Sequence, residues 1–406
     1  MIYFVAPNGI GISTNHWNTA AGMPSGDLVT TVNSISPGDE IWVLGENNMF
    51  GIVGQYNLTA PLVINQNNLS IYGGFAGWET SLAQRNANII CPPLPPPPPP
   101  FPNYFQHPSV LDGGRRNRVI DIQGVNDCLI DGFLIRYGYA TTAIIGLDGG
   151  GVRVLQSNDI RFENLVIMLN TAAQNGAGMY MDNAQNAFIK NVVFFGNFAN
   201  GGNGGGLFLN HCNDATVVNA LFNANYGMVG VGGGTGSGIY VDSSNNVQII
   251  NNTIADNIPN TATGSGAFCN NANVEIYNSI FYIDNLNGNG GNVSVEHCLL
   301  GIATANIPPI FINNSLTIGT NPNFVNPIYT HLVPPPPPPV PLPTMGDYHL
   351  QINPPFPLTS QCIDAGNDAH ILPHATTDLE GNPRFINKGL NPSTPNTVDM
   401  GAFETP

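Results

Sequence analysis

Two marks recur in step along the middle of this chain, and together they leave few folds open. A Gly opens a short run that alternates inward and outward. The runs are Gly151-Val152-Arg153-Val154, Gly178-Met179-Tyr180-Met181, Gly206-Leu207-Phe208-Leu209, Gly238-Ile239-Tyr240-Val241 and Gly266-Ala267-Phe268-Cys269. Each leads to an apolar stretch ending in Asn, at Asn164, Asn191, Asn219, Asn251 and Asn278. A second polar mark follows six residues later, at Asn170, Asn197, Asn225, Asn257 and Asp284. Short alternating runs are strands, and Gly and Asn between them supply left-handed corners. A unit this small buries its apolar face only against the next unit, so the chain stacks on itself. The expected fold is all-β, a right-handed parallel β-helix (a solenoid) with coils of about 27 to 33 residues.

Stacking places equivalent residues about 4.8 Å apart. Asn164, Asn191, Asn219, Asn251 and Asn278 are read as a structural ladder of bonded amides rather than as ligands. Alternation puts Val152, Met179, Leu207, Ile239 and Ala267 inside. It puts Arg153, Tyr180, Phe208, Tyr240 and Phe268 outside, where the four aromatics form a vertical stripe. Such a stripe is a candidate surface for sugar rings or another protein face. The plainer alternatives are a covering loop or an inverted phase. A looser earlier coil runs from Val119-Ile120-Asp121-Ile122 to Leu129-Ile130-Asp131-Gly132, with Asp131 in the ladder position. Ile41-Trp42-Val43, Leu62-Val63-Ile64 and Leu69-Ser70-Ile71 read as the first strands, and Val293 to Leu300 as a late coil.

Composition excludes several partners. The formal charge is −16 with ten Lys plus Arg, so no cationic cluster is available to displace counterions from nucleic acid. The same shortage argues against an anionic membrane surface. No apolar stretch is long enough for a transmembrane helix, and Met1 to Pro7 do not read as a signal peptide. The six cysteines show no metal spacing. They read as scattered buried thiols, with one disulfide left open for an extracellular protein.

Two runs of proline, Pro95 to Pro100 and Pro334 to Pro339, cannot sit inside a ladder. They are expected as polyproline II insertions. One reading is a plain semi-rigid loop; the other is a displayed rod that meets a partner or carries modification. The resulting division of the single β-helix domain, residues 1–406, is N-terminal coils and cap at 1–90, a Pro-rich insertion at 91–108, and central coils at 109–332. A second insertion at 333–345 and a closing segment at 346–406 complete it.

Several segments resemble a known group. Gly38-Asp39-Glu40-Ile41-Trp42-Val43, then Ile71-Tyr72-Gly73-Gly74-Phe75-Ala76-Gly77-Trp78-Glu79-Thr80 with Arg85-Asn86, carry the early part. Leu111-Asp112-Gly113-Gly114 with Arg118-Val119-Ile120 fits the next coil. Gly346-Asp347-Tyr348-His349-Leu350, Cys362 to Gly366, Asp378 to Arg384 and Val398 to Glu404 carry the end. These resemble bacterial β-helix repeat proteins of the choice-of-anchor or polymorphic outer-membrane type, within the pectin-lyase-like superfamily. The resemblance implies export and an extracellular or cell-surface location, without implying one activity. It ends soon after the closing motif, and no sorting domain or anchor is expected.

No catalytic residue is assigned. If the chain is an enzyme, Asp182, Asp214 and Asp242, with Asp148 nearby, are candidates for an acidic file that holds Ca²⁺, with Arg153, Arg161 or Lys190 as base. The same spacing suits turn-capping Asp, so Ca²⁺ is only weakly indicated, and no other cofactor or metal is expected. The leading expectation is a non-enzymatic extracellular structural or adhesive protein that self-associates, end to end as a filament subunit or laterally. The alternative is a carbohydrate-active enzyme, lyase or hydrolase, or a surface-glycan-binding module.

Overall fold

The structure, a computed structural model, describes residues 1–7, 28–46, 54–91, 104–141, 146–227, 236–259, 266–300, 310–313, 316–317, 321–327, 345–352, 359–389 and 397–405. The proline runs, with Pro95, Pro100, Pro334 and Pro339, lie outside the described residues.

The backbone winds as a parallel β-helix. In a first ribbon the strands Leu62–Ile64, Ile120–Gln123, Val152–Leu155, Met179–Asp182, Leu207–Asn210, Ile239–Asp242 and Ala267–Tyr277 succeed one another in parallel register. A second ribbon starts with Ile2–Val5, Glu40–Leu44 and Leu69–Phe75. A third starts with Gln55–Asn57 and Ser109–Asp112. The long strands Asn158–Met168, Phe188–Phe195 and Thr216–Asn223 serve both of these, because each bends at its Asn. Asn164, Asn191 and Asn219 stand at φ values of 51°, 54° and 54°, in the left-handed region that Asn tolerates best among residues with a Cβ. A fourth ribbon holds strands of two residues, such as Thr171–Ala172 and Phe198–Ala199.

The expected phase holds. Val152, Met179, Leu207, Ile239 and Ala267 lie in one long core with Ile189, Val217, Ile249 and Ile276. A one-residue slip would turn that set outward, so burial fixes the register of every coil.

The ladder assignment needs correction. The unbroken, buried ladder is built from the second mark. Asn170 donates to Asn197 at 3.0 Å, Asn197 to Asn225 at 2.9 Å, Asn225 to Asn257 at 2.9 Å, and Asn257 to Asp284 at 2.7 Å. The first mark bonds only in part: Asn164 to Asp131, Asn191 to Asn164 and Asn219 to Asn191. Beyond that the closing segment intervenes. Asn219 accepts from Arg384, Asn251 donates to the Asp399 carbonyl, and Asn278 to the Asn367 carbonyl. Asp131 also stands one residue off the expected place, since the register sets it opposite Glu163.

The repeat glycines follow from the buried ladder. A Cβ on Gly178 would lie 2.4 Å from the Gly206 carbonyl oxygen and 3.0 Å from Asn197 Nδ2. A Cβ on Gly206 would lie 2.5 Å from the Gly238 carbonyl oxygen. Glycine and Asn are thus two halves of one close contact. The coil length also needs correction: Asn273 and Asn292, equivalent across a coil, are 19 residues apart. That coil passes from Asp284 almost directly into the strand Leu286–Glu296, without a fourth-ribbon strand or loop.

The helix Leu28–Ser34 packs on the strands that begin the first and second ribbons. Its Leu28 and Val32 join the main core and close it at that end. End-on stacking of copies there would have to displace this helix. Among the described residues no helix is long and apolar enough to cross a membrane.

The closing segment covers the outer face of the third ribbon. Tyr348, Ile363, Leu379, Met400 and Phe403 pack on Leu134, Val166, Val193, Leu221 and Ile280. Its polar anchor is Arg384, fully buried, which donates to Asn219 Oδ1 at 2.8 Å and to the Gly401 and Ala402 carbonyls at 3.0 Å. Glu404 lies 3.5 Å from it. The early resemblance motif is a lock of the same kind. Glu79 accepts from the amides of Ala76, Gly77 and Trp78, and Phe75 stacks on Trp42 at 4.7 Å.

All six cysteines are free and buried, so the disulfide left open by the sequence is not formed. Burial pushes Cys128, Cys212, Cys269, Cys298 and Cys362 up to about 12, which makes them poor nucleophiles.

Four other groups set a pH dependence. Burial raises Asp284 to about 8 and Asp399 to about 6. Burial, then the charge of Asp399, raises Glu404 to about 9. Burial opposes the charge on His349, but hydrogen bonds to Asp347 and Glu380 outweigh it and raise the imidazole to about 9. All four bind protons more tightly folded than unfolded, so each contributes stability at low pH that is lost as pH rises through its folded value. The expected result is a melting temperature that falls from pH 6 to pH 9. A flat or rising profile in calorimetry would contradict these assignments.

Candidate functional site

The first ribbon carries the candidate site on its outer face. Register aligns Asp121, Arg153, Tyr180, Phe208, Tyr240 and Phe268 in one row. The aromatic stripe read from the sequence is therefore present. Ring centroids are 5.4 Å apart for Tyr180 and Phe208, 4.8 Å for Phe208 and Tyr240, and 5.3 Å for Tyr240 and Phe268. The last two pairs are each within 11° of parallel. The rings thus spend their faces on one another. Phe208 and Tyr240 are buried, and Tyr180 and Phe268 half-buried. A sugar ring that needs a free aromatic face finds little of one in this stack. At the foot of the row Arg153 holds Asp121 with two hydrogen bonds, at 2.9 and 2.7 Å. Arg118 reaches the same carboxylate at 3.3 Å.

Two residues along each strand, on the same face, lies a polar row: Asp182, Asn210, Asp242 and Asn270. Asn210 donates to Asp182 and Asn270 to Asp242, each at 2.8 Å. His211 lies 3.7 Å from Asp182. All four row residues are half-buried. Beside them runs a row that sequence reasoning missed, Asn213, Asn245, Asn273 and Asn292. Asn245 donates to Asn213 at 3.3 Å, Asn273 to Asn245 at 2.7 Å, and Asn292 to Asn273 at 3.2 Å. Its signal was available in the first three members, which recur at 32 and 28 residues, while Asn292 follows after only 19.

The acidic file of Asp182, Asp214 and Asp242 is not assembled as read. Asp182 and Asp242 share a row but stand two coils apart with Asn210 between them. Asp214 belongs to a neighbouring corner, at φ 57°, and accepts from Asn246 at 2.6 Å. Asp148 is held by the Asn175 amide at 2.8 Å. Of the three bases only Arg153 lies on this ribbon. Arg161 and Lys190 stand on the second ribbon, where both pair with Glu163. Ca²⁺ would find no two adjacent carboxylates among these residues, and it favours six to eight oxygens.

No protein-family model matches the sequence. No curated protein matches it either. Among solved structures, pectate lyase Pel9A is similar over 100% of this chain and 96% of that chain, with 14% identity and a TM-score of 0.51. This chain has the pectin-lyase-like fold. A rhamnogalacturonan lyase covers 73% of this chain with 74% of its own length, at 13% identity and a TM-score of 0.44. A pectin methylesterase from Aspergillus niger covers 78% of it with 88% of its own length, at 12% identity and a TM-score of 0.26. The pectin-lyase-like coil explains why the candidate rows are straight: parallel register repeats each side-chain direction once per coil.

Proposed function

We propose that this pectin-lyase-like chain works outside the cell as a carbohydrate-active β-helix, binding an extended, hydroxyl-rich polysaccharide along the outer rows of its first ribbon. The observation that carries the reading is the pair of polar rows, Asp182-Asn210-Asp242-Asn270 on the outer face of the first ribbon and Asn213-Asn245-Asn273-Asn292 beside it, running from the corner that follows the strands. A row amide commits one N–H to its neighbour and keeps the other for a ligand, while Asn213 and Asn273 Oδ1 each accept from both the backbone and the side-chain amide of the next residue in the row. The rows repeat about every 4.8 Å, close to the advance of an extended chain of hexose rings. The carboxylates accept from sugar hydroxyls and repel uronates, so an uncharged polymer fits better than an acidic one.

The test is titration of neutral and acidic polysaccharides into wild type and the Asp182→Ala, Asp242→Ala double variant, with Ca²⁺ and with chelator. The reading expects the neutral polymer to bind and the double variant to bind at least about tenfold more weakly, which is roughly 1.4 kcal/mol. Unchanged affinity in the variant would remove the rows from the account. Release of unsaturated uronate from the acidic polymer would replace binding by lyase chemistry.

A further inference from the structure

The column that begins with Asn164 and ends with Asn278 has one more member. The Asn278 amide donates to the carbonyl of Glu296, which places His297 at the next corner. His297 has φ 51°, the left-handed value of the asparagines beneath it. Histidine stands here where the pattern supplies asparagine. Its Nδ1 is buried and has no hydrogen-bond partner among the described residues.

Two other donors face it. Glu296 is its neighbour in sequence, and His370 arrives from the closing segment. Glu296 Oε2 and His370 Nε2 are 2.9 Å apart. One ligand atom from each of Glu296, His297 and His370 lies within 4.8 Å of the other two. The arrangement is held from both sides. The His370 ring stacks on Tyr277 at 3.7 Å and 9°. The 3-10 turn Asp368–His370 is clamped through Asn367, whose amide donates to Asn278 Oδ1 at 2.8 Å while its carbonyl accepts from Asn278 Nδ2 at 3.1 Å. Glu296 and His370 are each about a quarter exposed at the side chain, at 25% and 21%, so an ion and a water can reach them.

We propose that Glu296, His297 and His370 form a site for a divalent transition-metal ion such as Zn²⁺, tying the closing segment to the last coils of the helix. Two imidazole nitrogens and one carboxylate oxygen suit a borderline cation, with water in the fourth position. In a tetrahedral shell at about 2.1 Å the ligand atoms sit about 3.4 Å from one another. The Glu296–His370 contact opens slightly to admit the ion, and His297 closes in. The ion brings a His297 ring nitrogen into the junction and replaces one hydrogen bond by coordinate bonds from both sides of it. This site lies off the first-ribbon rows and does not depend on the polysaccharide reading.

The test is Zn²⁺ titration of the whole chain, stripped with chelator, followed by calorimetry and by thermal melting. The expected result is one ion per chain and a melting temperature about 5 °C higher with Zn²⁺ than with chelator. His297→Asn restores the residue that the column otherwise carries, so it keeps the fold; His370→Gln is the second variant. Both are expected to melt as the stripped wild type does and to lose the Zn²⁺ shift. Failure of wild type to take up Zn²⁺ overturns the site. Retention of the ion and its shift by both variants also overturns it, because the donors would then lie elsewhere.

Discussion

Replacing Asn225 with Leu is expected to cost the fold about 2–6 kcal/mol, although the two side chains are close in volume. Asn225 Oδ1 accepts from the Asn197 amide at 3.2 Å and from Asn197 Nδ2 at 2.9 Å. Its Nδ2 donates to the Phe194 carbonyl at 2.8 Å and to Asn257 Oδ1 at 2.9 Å. With Leu, Asn257 Oδ1 keeps the backbone amide of residue 225 and Asn197 Nδ2 keeps the Ile167 carbonyl, but the Asn197 backbone amide and the Phe194 carbonyl lose this partner in the buried interior, and each orphaned group costs about 1–3 kcal/mol. The exposed row provides the control. Asn245→Ala removes its side-chain bonds to Asn213 and from Asn273, both exposed and replaced by water, so its expected cost is within about 0.5 kcal/mol. Denaturant unfolding of both variants checks the contrast. Equal losses would mean that burial of the ladder is not what matters.

Replacing Arg384 with Leu is expected to release the closing segment, at about 3–5 kcal/mol, the range for breaking a buried charge network from one side. The guanidinium meets Asn219 Oδ1 and two carbonyls and is the cation beside Glu404. Asp399, buried close by, is held by the amides of Asp364 and Thr405. Without the cation these acids remain buried among one another. Loss of the segment would bare Leu134, Val166, Val193 and Leu221, so a hydrophobic dye should bind the variant and proteases should cut within 359–405 before the coils. A variant that melts and digests like wild type would show that apolar packing alone holds the segment.

The coil was legible in the sequence because one contact demands two residues. Gly178 and Asn197 must both be present where the backbone passes the ladder, so both marks keep phase. Which Asn column runs unbroken was not legible. Asn219 and Asn225 look equivalent in sequence, and only the fold brings Arg384 to the first of them, from 165 residues away. The 19-residue coil escaped for a different reason. Leu286-Asn287-Gly288-Asn289-Gly290-Gly291-Asn292 lacks apolar alternation, and it becomes strand only by pairing with Ala267–Tyr277.

The candidate site shows the same division. The aromatic row follows from strict alternation, and Tyr180, Phe208, Tyr240 and Phe268 stand in line as read. That their faces are used by one another depends on ring angles, which no periodicity carries. Asp182 and Asp214 differ in phase by a few residues, enough to move them to different rows. His297 and His370 meet only because the closing segment folds back, and that return is a tertiary event.

The most direct test of the polysaccharide reading is affinity measured against oligosaccharide length. Neutral oligosaccharides of one to eight rings, titrated into the whole chain, should bind more tightly with each added ring until the ligand spans the row from Asp182 to Asn270. Affinity should then level off, and the Asp182→Ala, Asp242→Ala variant should lose most of the gain. Affinity that is the same for a disaccharide and an octasaccharide, or the same in variant and wild type, would contradict a polymer lying along the coils.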